Sequence, residues 1–209
     1  NFTTDESTPE YEQVAVDPEM LGKVLENLLA TLDADTGKSA QEAKGAYYTP
    51  REIVSYMCKE SVRQYLYTSI EKFVVNKEDK TIYNKGIDRL LDESDAQYEI
   101  AHTNAIRNLW SADKAKTISQ EILKYLDNLK VLDPACGSGA FPIGMLQTLL
   151  KIYERLEPRF DQYKTKLAIL KNNIYGVDIE PMAAEISRLR AWLSLVVKKN
   201  KNKDVEPLP

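Results

Sequence analysis

A chain of 209 residues with 43% hydrophobic and 29% charged side chains has the composition of an ordinary globular domain. That excludes a disordered, collagen-like or disulfide-stapled chain, and apolar stretches such as Leu193 to Val197 fall far short of the ~20 residues that span a bilayer. A net charge of −4, one histidine (His102) and two cysteines (Cys58 and Cys136) argue against a basic nucleic-acid face, a His-based zinc site and a disulfide framework, and an intracellular, cytoplasmic protein is expected.

The charge is uneven. Residues 1–50 carry 10 acidic and 3 basic side chains, and the remainder 22 acidic and 25 basic. The chain begins at Asn1 without a methionine and ends in Glu206-Pro207-Leu208-Pro209, so both ends read as internal to a longer chain. No basic flank leads into an apolar core, as a signal peptide would require.

In chain order, Asn1 to Val16 is polar and acidic and reads as a linker. Asp17-Pro18 offers an N-cap followed by proline at the first helical position. Leu21, Val24, Leu25, Leu28, Leu29 and Leu32 follow at the spacing of one helical face. Asp33 to Lys44 is a polar connection. Thr49-Pro50 looks like a second helix start, with Ile53, Val54, Met57, Cys58, Val62, Tyr65 and Leu66 as its apolar stripe. Between Glu71 and Asn108 the pattern is weak. Phe73-Val74-Val75 suits a short strand or a helix end, Lys77-Glu78-Asp79-Lys80 a solvated turn, and Ile87 to Leu91 and Ile100 to Trp110 short helices. Asp92, Glu93 and Asp95 read as a solvated loop rather than a metal site. Ala115, Ile118, Ile122, Leu123 and Leu126 predict another helix, capped by Ser111 or Asp113.

At Lys130 the pattern changes. Val131-Leu132-Asp133 is a short apolar run ending in a carboxylate, and Pro134-Ala135-Cys136-Gly137-Ser138-Gly139 is a tight small-residue turn. Phe141 to Leu156 has helical spacing. Asn173 to Asp178 reads as a second strand ending in an acid, and Pro181 opens a helix with Met182, Ile186, Leu189, Leu193 and Val196 on one face. Strand, turn, helix, strand, acid, helix is the alternation of a parallel α/β sheet. Lys198, Lys199, Lys201 and Lys203 then suit a solvated helix end or DNA phosphates.

Ligands of open α/β sheets bind beyond the carboxyl ends of the strands. There, Gly137 and Gly139 let the backbone come close to a ligand, and the first amides of the next helix suit an anion. Asp133 offers a carboxylate to an ammonium group. Asp178 can accept two hydrogen bonds from a ribose diol, with Ile179 covering an adenine face; it suits equally a cap on the helix opened by Pro181. Tyr47-Tyr48-Thr49-Pro50 suits either a pocket lining or a helix cap with packed aromatics. The turn is not a dinucleotide fingerprint, because position 142 is Pro142 and Asp178 lies 39 residues beyond Gly139. Nor does the Gly-Lys-Ser/Thr of a phosphate-binding loop follow it. A tight strand-to-helix turn without any ligand remains open on spacing alone.

Asp133-Pro134-Ala135-Cys136-Gly137-Ser138-Gly139-Ala140-Phe141 resembles motif I of amino-group DNA methyltransferases that use S-adenosylmethionine. Gly45-Ala46-Tyr47-Tyr48-Thr49-Pro50 resembles their motif X, and Gly176-Val177-Asp178-Ile179-Glu180-Pro181 their motif II. The order X, I, II is that of the gamma class of N6-adenine methyltransferases, and the Asp17–Leu32 stretch is similar to type IIG restriction–modification proteins. Type I modification subunits and phage-exclusion methylases are near relatives.

The resemblance implies an α/β fold: an N-terminal helical region, then the first half of a Rossmann-like S-adenosylmethionine-dependent methyltransferase domain, two parallel strands with helices. It implies three regions: residues 1–44 as acidic linker and connector helix, 45–128 as helical region with motif X, and 129–209 as partial cofactor-binding domain. Tyr47, Tyr48 and Thr49 would contact the methionine end and the cofactor face, and Asp133 the methionine ammonium. Ala135, Cys136, Gly137 and Gly139 would wrap the cofactor by backbone, Asp178 would take the ribose and Ile179 the adenine. Phe141 would pack under the loop, and Cys136 would belong to the cofactor turn rather than act as a nucleophile. Adenine methylases also carry an Asn/Asp/Ser-Pro-Pro-aromatic motif that holds the flipped base. The nine prolines here, at 9, 18, 50, 134, 142, 158, 181, 207 and 209, include no adjacent pair. The expectation is therefore a piece of a DNA adenine-N6 methyltransferase of a restriction–modification system, inactive by itself, with double-stranded DNA as partner through the parent protein and a nuclease domain possible upstream. The alternative is a non-catalytic cofactor-binding or subunit-interaction module. No catalytic or metal-ligating residue is expected in this stretch.

Overall fold

A computed structural model describes Val24, residues 49–72, Val74, and residues 76–92, 112–157 and 160–196. Its elements are α1 (Arg51–Glu71), α2 (Lys77–Asp92), α3 (Ala112–Asn128), β1 (Val131–Asp133), α4 (Ala140–Leu156), α5 (Gln162–Asn172), β2 (Ile174–Gly176) and α6 (Pro181–Val196). The described residues are mostly helical, with β1 and β2 paired. The Val131 amide donates to the Asn173 carbonyl at 2.7 Å and the Val177 amide to the Asp133 carbonyl at 2.9 Å. Partners that advance together along both strands make the pair parallel. This is compatible with an α/β fold.

The chain falls into two compact units. One comprises Arg51–Val131 and Gly144–Tyr175, and the other Asn1–Pro50, Leu132–Ile143 and Gly176–Pro209.

In the first unit, α1 packs on α2 and α3. Its buried side chains are Val54, Cys58, Val62, Leu66, Ser69 and Ile70. The four-residue repeat makes a narrow seam, so Ile53 and Met57 of the expected stripe are exposed instead. Leu66, Ile87, Ile122 and Leu126 are fully buried. Each such side chain contributes about 1.5–3 kcal/mol of transfer free energy. Gly144 lets α4 lie close to α1, because a Cβ there would meet Val54 Cγ1 at 2.5 Å.

Polar side chains of this unit close its helix ends and tie its helices. Arg155, buried, donates from Nη1 to the Leu90 carbonyl at 2.7 Å, in the last turn of α2. Asn173 donates from Nδ2 to the Leu126 and Leu129 carbonyls, both at 2.8 Å, at the end of α3. These are the carbonyls that a helix leaves without intrahelical donors. Arg63 of α1 pairs with Asp88 at 2.5 Å and Asp92 at 2.9 Å, both in α2, and with Glu60 at 3.0 Å. Burial alone would lower the Arg63 pKa, but Asp88, Asp92 and Glu60 outweigh it and raise it. Asp92 thus belongs to an ion-paired helix end rather than to a solvated loop.

Two expectations here give way. Lys77 to Lys80 is the first turn of α2, not a solvated turn. Asn76 Oδ1 accepts from the Glu78 amide at 3.1 Å, and the Asn76 carbonyl accepts from the Lys80 amide at 3.0 Å. An Asn cap followed by Glu78 and Asp79 puts acids where the helix dipole favours them. Asp113 lies inside α3 rather than capping it. The sequence reading also passes over α5, which starts at an Asp161 cap whose side chain accepts from the Lys164 amide at 3.1 Å. The Val74 amide donates to the Ile70 carbonyl at 2.9 Å, which favours the helix end over the strand at that point.

In the second unit, β2 is shorter than expected and ends at Gly176, so Val177 and Asp178 follow the strand. The inner face of α6 also differs from the expected one. Ala183, Ile186, Arg190 and Leu195 are buried, whereas Met182 and Leu189 are exposed. Ile186 is common to both faces, and Ala183 and Arg190 take the places expected for their neighbours Met182 and Leu189.

The Asn1–Val16 linker, the Asp33–Lys44 connection, Phe73, Val75, Glu93, Asp95, the Ile100–Trp110 helix with His102, Ser111 and the lysines at 198–203 lie outside the described residues. Of the Asp17–Leu32 helix only Val24 is described, and it is helical. Among the described residues no helix is long and apolar enough to cross a membrane.

Candidate cofactor-binding site

The second unit holds eight described members of the expected site: Thr49, Asp133, Ala135, Cys136, Gly137, Gly139, Asp178 and Ile179. Parallel pairing brings the two strand ends together. After the Val177 amide meets the Asp133 carbonyl, the chain continues with the Cys136 amide donating to the Val177 carbonyl at 2.9 Å. This places the turn after β1 beside the residues after β2.

Both glycines of the turn have left-handed backbones, with φ of 53° at Gly137 and 88° at Gly139. L side chains adopt that conformation at a cost of about 1–2 kcal/mol. Their surroundings differ. A Cβ on Gly139 would press into Ser187 of α6, 3.0 Å from its Cβ and closer to its Oγ. A Cβ on Gly137 would meet nothing within 4 Å. Gly139 therefore serves the packing of α6, while Gly137 leaves an open side.

The turn amides are committed within the protein. Ala135 donates to Asp133 Oδ1 at 3.1 Å, Gly137 to Asp178 Oδ2 at 2.7 Å, and Gly139 to the Cys136 carbonyl at 2.9 Å. The expected role of the backbone toward a ligand is thereby narrowed: at these positions it is close approach, not N–H donation.

The carboxylates differ in a useful way. Asp178 Oδ1 accepts from the Glu180 amide at 2.9 Å, and Oδ2 from Gly137. It thus shapes the turn into α6, as the cap reading expects, and also braces the glycine loop. A carboxylate has about four acceptor sites, so each oxygen keeps capacity for another donor. Asp133 is different. Its Oδ2 is buried and has no hydrogen-bond partner among the described residues. Leaving such an acceptor unsatisfied costs about 1–3 kcal/mol, and more for a charged group. A cationic donor would remove that cost.

Ile179 is 101% exposed, an isolated large apolar side chain beside Asp178. Cys136 is buried, and that burial, with Asp133 and then Asp178, raises its thiol pKa against a weaker opposing hydrogen bond from Ser187. Nucleophilic cysteines need the thiolate, so this environment works against such a role. Thr49 is half-buried, while Tyr47 and Tyr48 lie outside the described residues.

Sequence reasoning missed Ser187 and Arg190. Arg190, 5% exposed, donates from Nη1 to the Ser138 carbonyl at 2.7 Å and to Ser138 Oγ at 3.2 Å. The helical phase of Ala183 and Ile186 would have placed Arg190 inside, but the larger side chains Met182 and Leu189 suggested another phase.

Residues 109–206 match the family model described as MmeI, DNA-methyltransferase domain. The chain is 36% identical over 201 residues to a candidate type II restriction enzyme and methyltransferase of Methanocaldococcus jannaschii, covering 94% of this chain and 15% of that protein. It is 38% identical over 64 residues to the adenine-specific methyltransferase PglX of Streptomyces coelicolor, 31% of this chain and 5% of that protein. Over 61 residues it is 43% identical to the adenine-specific methyltransferase BrxX of Escherichia coli, 29% of this chain and 5% of that protein. The chain therefore spans a small part of the length of each relative. The stretch that matches the MmeI DNA-methyltransferase domain, residues 109–206, holds both strand ends of the site.

Proposed function

We propose that this chain supplies part of the S-adenosylmethionine site of a DNA adenine-N6 methyltransferase from a restriction–modification system, acting on double-stranded DNA in the cytoplasm. On this reading β1 and β2 begin a Rossmann-like domain, within the region 129–209, and the longer protein provides the base-holding motif and the DNA-reading part. The observation that carries it is the Oδ2 of Asp133, buried without a hydrogen-bond partner among the described residues, within the stretch that matches a DNA-methyltransferase domain. An ammonium group beside it would form a charge-assisted hydrogen bond. The open side of Gly137 and the bare side chain of Ile179 fit the same ligand.

When bound, S-adenosylmethionine supplies a methyl group on a positively charged sulfur. The chain's own residues position and bind. Asp133 Oδ2 holds the ammonium of the methionine end. Asp178, fixed by the Gly137 and Glu180 amides, accepts the ribose hydroxyls on its remaining lone pairs. Ile179 covers the adenine, and Tyr47, Tyr48 and Thr49 contribute at the methionine end. Because the 209 residues hold no adjacent prolines, nothing in them supplies the usual acceptor for the adenine amine. They therefore bind cofactor without transferring methyl groups.

Titration calorimetry of the full chain with S-adenosylmethionine tests this. Saturable binding is expected, weakened at least 10-fold by Asp178→Ala, as befits the loss of a hydrogen-bonding charge worth about 1.5–3 kcal/mol. No binding by the wild-type chain, or equal binding by the variant, would overturn the reading and leave the subunit-interaction module.

A further inference from the structure

The unit that carries the site contains a buried cation that the cofactor reading does not use. Arg190 lies in the third turn of α6 and reaches Ser138 through two hydrogen bonds, one to its carbonyl and one to its hydroxyl. Ser138 is itself buried and stands between the two left-handed glycines. Gly137 and Gly139 have no side chains to hold that peptide, and glycine has the widest backbone freedom of any residue. The turn must therefore be fixed from outside.

Three successive groups do so. Asp178, just before α6, accepts the Gly137 amide. Ser187, nearly one turn before Arg190, fills the space beside Gly139. Arg190 then holds Ser138. The first two neighbours fix the flanks of the loop, and the third addresses the peptide between the glycines. A planar guanidinium with fixed donor directions suits that task, whereas lysine presents a flexible point charge. Burying a cation is also costly, so this position is not explained by packing alone.

We infer that Arg190 is a positioning residue. By fixing the Ser138 peptide it sets the shape of the Gly137–Gly139 turn, and thereby the affinity of the site for the amino-acid end of S-adenosylmethionine. The ligand part of this claim rests on the cofactor reading above; the part about the turn does not.

The test uses the full chain with Arg190→Met, Arg190→Lys and Ser138→Ala. Hydrogen exchange of the amides at 136–140 is measured without ligand. Affinities are measured for S-adenosylmethionine and for 5′-methylthioadenosine, which lacks the amino-acid end. Arg190→Met should speed exchange of those amides at least 10-fold while α1 and α3 exchange as in the wild type. It should weaken S-adenosylmethionine at least 10-fold and methylthioadenosine less than 3-fold. Arg190→Lys should recover part of both effects. Ser138→Ala, which keeps the carbonyl acceptor, should shift them in the same direction by a smaller factor and covers the case in which Arg190→Met does not fold. Unchanged exchange at 136–140, or equal weakening of both ligands, would overturn the inference. Faster local exchange in a chain whose wild type binds neither ligand would uphold the role of Arg190 in the turn and sink the cofactor reading instead.

Discussion

The helical unit and the strand-end unit treat their polar groups in opposite ways. In the helical unit, Arg155 and Asn173 meet the carbonyls at the ends of α2 and α3, Tyr153 donates to Asp127 at 2.6 Å, and Arg63 binds three carboxylates. In the strand-end unit, Asp133 Oδ2 is buried without a partner among the described residues, Ile179 stands in solvent, and Gly137 faces open space. The first pattern satisfies what folding desolvates. The second leaves a carboxylate oxygen unsatisfied just before a glycine turn and an apolar side chain bare after the next strand, which is costly in a scaffold and useful in a receptor.

Damage to the two units should therefore separate stability from binding. The largest effect belongs to the helical unit. Leu66→Ala, at a fully buried position of α1, should cost about 2–5 kcal/mol in urea unfolding. A cost below about 1 kcal/mol would mean that this core is far looser than its burial indicates. Ile179→Ala is the counterpart. Its side chain is fully exposed, so stability should change by no more than about 0.5 kcal/mol. Affinity for S-adenosylmethionine should nevertheless drop several-fold, on the order of 1 kcal/mol for lost apolar contact. A stability loss without an affinity loss would reverse the comparison.

The smallest effect is a pH response of the helical unit. Burial first, and then hydrogen bonding to Asp88, push the Tyr67 hydroxyl up to about 12 from an ordinary value of 10.0. A raised folded-state pKa means that the folded protein holds the proton more tightly than the unfolded chain. The stability this contributes is complete below pH 10 and is lost as pH rises through about 12. Thermal melts between pH 10 and 12 should show a shallower decline in Tyr67→Phe than in the wild type. Identical slopes would remove Tyr67 from the account.

How much of this could be read from the sequence follows the same division. The strand-end elements of the candidate site were legible because they are contiguous: apolar run, carboxylate, small-residue turn and helix lie within Val131–Leu156, and a second acid follows a second apolar run. The helical unit was less so. Lys77-Glu78-Asp79-Lys80 reads as solvent-loving whether it is a turn or the first turn of a helix, and the deciding group, Asn76, is a single cap. On α6 the large side chains of Met182 and Leu189 pointed to the wrong face, because the inner face uses the small Ala183 and the charged Arg190. Arg190 looks like a surface arginine until Ser138, 52 residues earlier, is placed beside it.

The central claim is that Asp133 is held unsatisfied for a cationic ligand group. Asp133→Asn keeps an oxygen for the Ala135 amide and removes the charge. Thermal unfolding of wild type and variant, each with and without saturating S-adenosylmethionine, tests the claim most directly. The account predicts unliganded stabilities within about 1 kcal/mol of each other, since no partner is lost. It also predicts a cofactor-induced rise in melting temperature for the wild type, at [L] well above Kd, that the variant lacks. A variant that is badly destabilised without ligand, or that responds to the cofactor as the wild type does, would contradict it.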